Sequence, residues 1–163
     1  MALLSQGELM FYFILRWDDN VIDIREQFPL DSNEVRRISD KTGIPYPVKK
    51  GYRMTTDFLV DYNDGHQVAY NIKTNRNNIS KHDQRYSSIE ELYWNLKGTE
   101  YRRVYKDELN PTLADNIRRV FSYYDPNTVT DEITMVKHLI AHKQIIVDMN
   151  KPINYSQILN EMI

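Results

Sequence analysis

Residues 54–74, MTTDFLVDYNDGHQVAYNIKT, decide how the rest of this chain is read. Two runs rich in β-branched and aromatic residues, 54–62 and 67–74, flank Asn63-Asp64-Gly65. Asp-Gly between strand-like runs is a strong hairpin signal. Asp57 lies inside the apolar part of the first run, where a carboxylate is costly to bury without a partner or a cation. On the second run, a period of two puts Asn71 and Lys73 on one face and Ile72 on the other, in the core. In a tight hairpin the Asn71 and Lys73 face can also carry Asp57.

Upstream, Ser5 stands three residues before Glu8, and Leu9, Met10, Phe13, Ile14 and Trp17 recur at helical spacing. The pattern predicts an N-capped amphipathic helix over 6–17. VIDIREQFPL (21–30) alternates like a half-buried strand ended by Pro29. Asp31 or Ser32 caps a short helix, stopped by Gly43 and the prolines at 45 and 47. Downstream, the polar stretch 75–88 reads as a loop, ending in a serine cap at Ser87 with Glu90 or at Ser88 with Glu91. A helix from there through Leu96 closes at Gly98, YRRVYK (101–106) is a short strand, and Asn110-Pro111 opens a helix to about Tyr123. The order predicts an α/β fold with a central mixed β-sheet flanked by helices. Asp125-Pro126-Asn127 is the boundary candidate. It separates residues 1–124 from a helical tail, 128–163, with a helix near 130–143, a strand-like IIVDM and a last turn or two capped at Asn154.

The 163 residues suit one domain plus an appendage, and 41% hydrophobic residues supply a core. With 21 basic against 23 acidic side chains, no global positive field draws the chain onto an anionic polymer. The absence of cysteine removes disulfides, thiolate nucleophiles and thiolate metal sites, so any metal is held by oxygen or imidazole. No segment has the features of a signal peptide, and none approaches the roughly 18 to 20 apolar residues of a membrane span. No membrane partner is expected, and a cytosolic location is the default.

A strand carboxylate, a polar oxygen and a lysine two residues apart on the next strand, and a glutamate from a preceding helix form the constellation of PD-(D/E)xK metal-dependent nucleases. Carboxylate oxygens suit Mg²⁺, which polarises a phosphodiester and activates water. A lysine orients that water and stabilises charge developing on phosphorus. Each residue also has a structural reading: Glu8 suits a capping box, Lys73 an edge strand, Asp61 and Asp64 the hairpin turn.

LLSQGELMFYFILRWDDNVIDIREQFPL, GIPYPV, MTTDFLVDYNDG, VAYNIKT and EELYWNLKGTEYRRVYKDELNP, in order from about residue 3 to 120, together resemble the nuclease domain of the TnsA family, the endonuclease subunits of heteromeric TnsA/TnsB transposases. The resemblance implies a restriction-endonuclease-like core in which Glu8, Asp57 and Lys73 are catalytic. It implies Mg²⁺, with Mn²⁺ as a substitute, held by Glu8, Asp57, Asn71 and the Ile72 carbonyl. At Asn71 the family pattern carries glutamine, so a shorter side chain reaches toward the metal here. Glu26 and Gln27 also match, as supporting residues beside Glu8 or as a strand-end network. The implied activity is cleavage at the 5′ ends of a transposon in the bacterial cytoplasm, with a TnsB-like transposase cutting the 3′ ends. A C-terminal, winged-helix-like domain engages a TnsC-like ATPase regulator in such proteins, and residues 128–163 are expected to be only its start.

Two alternatives remain on this reading: a stand-alone restriction or repair nuclease, and a catalytically impaired module that binds DNA and transposase, with Asn71 as the lost ligand. Candidate DNA contacts are Lys49, Lys50 and Arg53 before the first hairpin strand, and Arg76, Lys81 and Arg85 after Lys73. His138 and His142 have the i, i+4 spacing of a zinc pair, but no third ligand accompanies them.

Overall fold

The computed structural model describes residues 4–163, so Leu3, at the start of the resemblance, lies outside the described residues. β2 (Thr55–Tyr62) and β3 (Gln67–Lys73) form the antiparallel hairpin, with Phe58 opposite Tyr70 and Asp61 opposite Gln67. β1 (Val21–Pro29) runs antiparallel to β2 on its far side. At a register shift between Val21 and Asp23 the expected alternation fails, and Ile22 is exposed. β4 (Glu100–Tyr105) pairs parallel to β3, Asn71 opposite Arg103 and Lys73 opposite Tyr105. The result is a mixed four-stranded sheet, β1-β2-β3-β4, flanked by helices. A parallel pair needs a crossover, and α3 (Lys81–Leu96) supplies it.

α3 begins six to seven residues before the serines expected to cap it. Ser80 is the N-cap: its Oγ accepts the Asp83 N–H at 3.0 Å and donates to Asp83 Oδ2 at 2.6 Å. This cap competes with Ser87 and Ser88 and wins because Tyr86, Ile89, Tyr93 and Trp94 fall on one helical stripe facing the sheet. Glu90, expected near a helix start, is therefore mid-helix and fully buried. The other elements are α1 (Gln6–Trp17), α2 (Ser32–Thr42, capped by Asp31 and ended at Gly43), α4 (Pro111–Phe121), α5 (Glu132–Ala141) and α6 (Tyr155–Met162).

The chain divides into two compact units. One holds residues 4–8 and Asp18–Glu108; the other holds Leu9–Trp17 and Leu109–Ile163. The first contains the sheet, α2 and α3, around a core of Leu30, Val35, Ile38, Met54, Leu59, Ala69, Ile89, Tyr93 and Trp94. The second is helical, with Ile117 and Val120 of α4 packed on Val136 and Ile140 of α5, joined by Phe13, Ile14 and Trp17 of α1. α4, placed by its sequence before the 125–127 turn, thus shares a core with α5. Residues 145–149 form no ladder, because no strand lies beside them among the described residues. Ile145 and Val147 still turn inward while Ile146 is exposed, so the alternation serves packing on helices rather than a sheet. Asn116 holds this segment, donating from Nδ2 to the Met149 and Lys151 carbonyls at 2.9 and 2.8 Å. No helix among the described residues is long and apolar enough to cross a membrane.

Candidate functional site

Glu8 is set by the first turn of α1. The Ser5 N–H donates to Glu8 Oε2 at 2.6 Å and the Glu8 N–H to Ser5 Oγ at 3.3 Å, so the capping box forms. Only one carboxylate oxygen is used there. The other, Oε1, accepts from Gln27 Nε2 at 2.9 Å. Gly7 allows this turn to approach the sheet: a Cβ at that position would stand 3.3 Å from Ile72 Cγ2 and 3.6 Å from Lys106 Cβ.

Asp57 reaches the same place from β2. Its Oδ2 accepts the Ile72 N–H at 2.7 Å, and its Oδ1 lies 3.4 Å from Gln27 Nε2. One amide nitrogen therefore serves both carboxylates. Gln27 is fixed for this in two ways: its Oε1 accepts from Thr55 Oγ1 at 2.9 Å, and its backbone is left-handed at φ 46° inside β1. That conformation is rare for a residue with a Cβ and costs on the order of 1–3 kcal/mol. Burial pushes the Asp57 carboxyl up to about 6; the Ile72 N–H opposes the rise, the Glu8 charge adds to it and Lys73 counters it.

Asn71 is almost completely buried, at 3% exposure, and its Nδ2 donates to Glu90 Oε2 at 2.9 Å. Glu90 also accepts from Thr56 Oγ1 at 2.7 Å and Tyr101 hydroxyl at 3.2 Å, and Trp94 Nε1 donates to Thr56 Oγ1 at 2.6 Å. Burial pushes the Glu90 carboxyl up to about 8, with the Thr56 hydrogen bond pulling it down and the Asp57 charge adding to the rise. With Nδ2 committed, Asn71 Oδ1 is a buried oxygen with no partner among the described residues. Sequence reasoning missed Glu90 because the helix start was misplaced; the Ser80-x-x-Asp83 cap and the Tyr86, Ile89, Tyr93 stripe would have put it on the buried face.

A cavity of about 590 Å³ joins these groups, lined by Glu8, Gln27, Asp57, Asn71, Ile72 and Lys73, and beyond them by Asn75, Asn78, His82, Asp83 and Tyr86. Ile72 is half-buried against the first turn of α1, on the sheet face opposite Asn71. Glu26, opposite Phe58 on β1, does not line the cavity. Neither do Lys49, Lys50, Arg53, Arg76, Lys81 or Arg85. Arg76 is held by Asp107 and Glu108 and lies over the Tyr105 ring at 4.2 Å. His138 and His142 bond the carbonyls of Tyr123 and Tyr124 at 2.7 and 2.9 Å, tying α5 to the end of α4.

The donors available to a cation are all oxygen: two carboxylates, Asn71 Oδ1 and the Ile72 carbonyl. Among the described residues no three His, Cys, Asp or Glu side chains cluster as metal ligands. Two carboxylates completed by neutral oxygens and water match the demands of Mg²⁺, which keeps several waters and recruits substrate phosphate.

The Escherichia coli protein "Transposon Tn7 transposition protein TnsA" is 36% identical to this chain over 148 residues. That match covers 86% of the chain and 54% of the relative, so the chain spans about half the length of the curated protein it matches. The family model described as "TnsA-like endonuclease N terminal" matches residues 18–106, which contain the whole sheet, Asp57, Asn71, Lys73 and Glu90. With more than half of its residues matched, the chain belongs to the TnsA-like endonuclease N-terminal family.

Proposed function

We propose that this chain is a Mg²⁺-dependent DNA endonuclease with a PD-(D/E)xK, restriction-endonuclease-like core, hydrolysing phosphodiester bonds at the 5′ ends of a transposon. In this reading it acts with a TnsB-like transposase and a TnsC-like ATPase regulator. The observation that carries the reading is the convergence of Glu8 and Asp57 on one amide, Gln27 Nε2, in a cavity also lined by Lys73 and by Asn71, whose Oδ1 is a buried oxygen without a partner among the described residues.

Glu8, Asp57, Asn71 Oδ1 and the Ile72 carbonyl would hold Mg²⁺ or Mn²⁺, which supplies Lewis acidity toward the phosphodiester and acidifies bound water. Lys73 orients the attacking water and places positive charge beside the non-bridging oxygens. Gln27 sets the separation of the two carboxylates, and its N–H groups offset their mutual repulsion. Glu90 keeps the Asn71 amide turned with its oxygen unspent. That arrangement favours a working site over the impaired-module reading, since asparagine still offers its oxygen. Lys49, Lys50, Arg53, Lys81 and Arg85 are proposed to contact DNA phosphates away from the cavity, and Arg76 to do so on exchanging Asp107 and Glu108 for phosphate.

The test is the assembled transposition complex on donor DNA, with wild type compared against Asp57→Ala and Lys73→Ala. Loss of 5′-strand cleavage in both variants, with 3′-strand cutting retained, is expected. Persistence of 5′ cleavage in both would overturn the assignment. Efficient cutting by the chain without any transposase would instead favour the stand-alone nuclease.

A further inference from the structure

The cavity lining divides by hydrogen-bonding chemistry. Glu8 and Asp57 present carboxylate acceptors and Asn71 an unspent Oδ1, whereas Lys73 offers only donors and Asn75, Asn78 and His82 each offer an N–H donor beside an acceptor. The side chains of Asn75, Asn78 and His82 make no hydrogen bond within the described residues. His82, in the first turn of α3, lies beside the Tyr86 ring, with centroids 6.3 Å apart. Tyr86 is anchored to β2: its hydroxyl accepts the Thr55 N–H at 2.9 Å and donates to the Thr55 carbonyl at 3.0 Å. The neighbour of His82 is thereby fixed two residues from Asp57. The single acid on this wall, Asp83, is engaged by Ser80 Oγ at 2.6 Å. A cavity of about 590 Å³ falls in the usual range for a small organic ligand, and so accommodates a nucleotide rather than one phosphate alone.

We infer that His82, with the side-chain amides of Asn75 and Asn78, forms a second phosphate subsite, holding the phosphate next to the phosphodiester that faces Glu8, Asp57 and Lys73. The inference rests on the nuclease reading above. It identifies the group that keeps a strand in register with the carboxylates, a task that Arg76 is not free to perform while Asp107 and Glu108 hold it. A hydrogen bond from an imidazole or amide N–H to an anionic phosphate is charge-assisted and directional, so it positions as well as attracts.

Two small probes separate this subsite from the metal site. In Mn²⁺, thymidine 5′-monophosphate presents one phosphate and thymidine 3′,5′-bisphosphate presents two, one nucleoside apart. Calorimetry on the full chain is expected to show the bisphosphate binding about tenfold more tightly in the wild type, the scale of one charge-assisted hydrogen bond. His82→Ala should reduce that preference and the triple variant His82→Ala, Asn75→Ala, Asn78→Ala should abolish it, with Mn²⁺ affinity unchanged. A preference that survives in the triple variant, or that is absent from the wild type while Mn²⁺ still binds, overturns the subsite. Absence of Mn²⁺ binding by the wild type instead removes the nuclease reading and this inference with it.

Discussion

At the residue scale, Asn71 and Glu90 act as one unit. Asn71 can offer its oxygen to the cavity only while its nitrogen is accepted by Glu90 Oε2. Replacing Glu90 by glutamine puts an amide nitrogen within reach of Asn71 and recruits Asn71 Oδ1 as acceptor. Glu90→Gln is therefore expected to stay within about 1 kcal/mol of wild-type stability at pH 5, where Glu90 is itself protonated, but to bind Mn²⁺ several-fold more weakly by calorimetry at pH 8 and above, where the wild-type carboxylate only accepts. Glu90→Ala, which strips the acceptor from Thr56, Asn71 and Tyr101 in a buried site, should cost about 3 kcal/mol or more in a urea melt. Equal Mn²⁺ affinity in wild type and Glu90→Gln would show that the Asn71 oxygen plays no part in binding the cation.

At the element scale, the site depends on where helices begin. The first turn of α1 must lie close to β3 for Glu8 to meet Gln27, and Gly7 leaves only 3.3 Å for a methyl group beside Ile72. Gly7→Ala gains helix propensity worth roughly 0.5–1 kcal/mol, yet it must displace either Ile72 or the turn. Nearly unchanged thermal stability together with weakened Mn²⁺ binding is expected; tighter binding would contradict the close approach. α3 gives the complementary case. Ser80→Ala removes the N-cap and should lower stability by about 1 kcal/mol in denaturant titrations. The hairpin was legible from Asn63-Asp64-Gly65 alone, because a tight turn is a local property. The start of α3 was not, because three serines compete locally as caps and only burial of Tyr86, Ile89, Tyr93 and Trp94 against the sheet chooses between them.

At the scale of the whole molecule, two buried carboxyls make stability depend on pH. Asp57 rises from 3.8 to about 6 and Glu90 from 4.5 to about 8, chiefly through burial. The folded chain thus holds protons that the unfolded chain releases, so these groups lower stability as pH rises from about 4 through 8. The expected fall is on the order of a few kcal/mol. Urea melts at pH 5, 6.5 and 8 should show it in the metal-free protein, and Glu90→Gln should flatten the portion above pH 6. Mn²⁺ favours the ionised form of Asp57 and should restore stability most at the alkaline end. A stability that climbs across this window in both proteins would contradict the burial of these carboxyls as charged-state penalties. In the helical unit, where neither group lies, Asn116→Ala should cost about 2 kcal/mol by freeing two buried carbonyls.

The sequence by itself determined the mixed α/β order, the hairpin, the capping box at Ser5 and Glu8, and the identity of Asp57, Asn71 and Lys73 as residues sharing a small region. These follow from periodicity, turn chemistry and spacing, all of which act over a few residues. Only the tertiary structure decided that Gln27 stands between Glu8 and Asp57, that Glu90 holds Asn71, that α4 packs with α5, and that His82 reaches the same cavity. Each of those depends on side chains far apart in the chain meeting in a low-dielectric interior, where a donor left without its acceptor is costly. Such pairings are selected by the whole packed arrangement: a local cap and stripe mark Glu90 as facing the core, but not Asn71 as its partner.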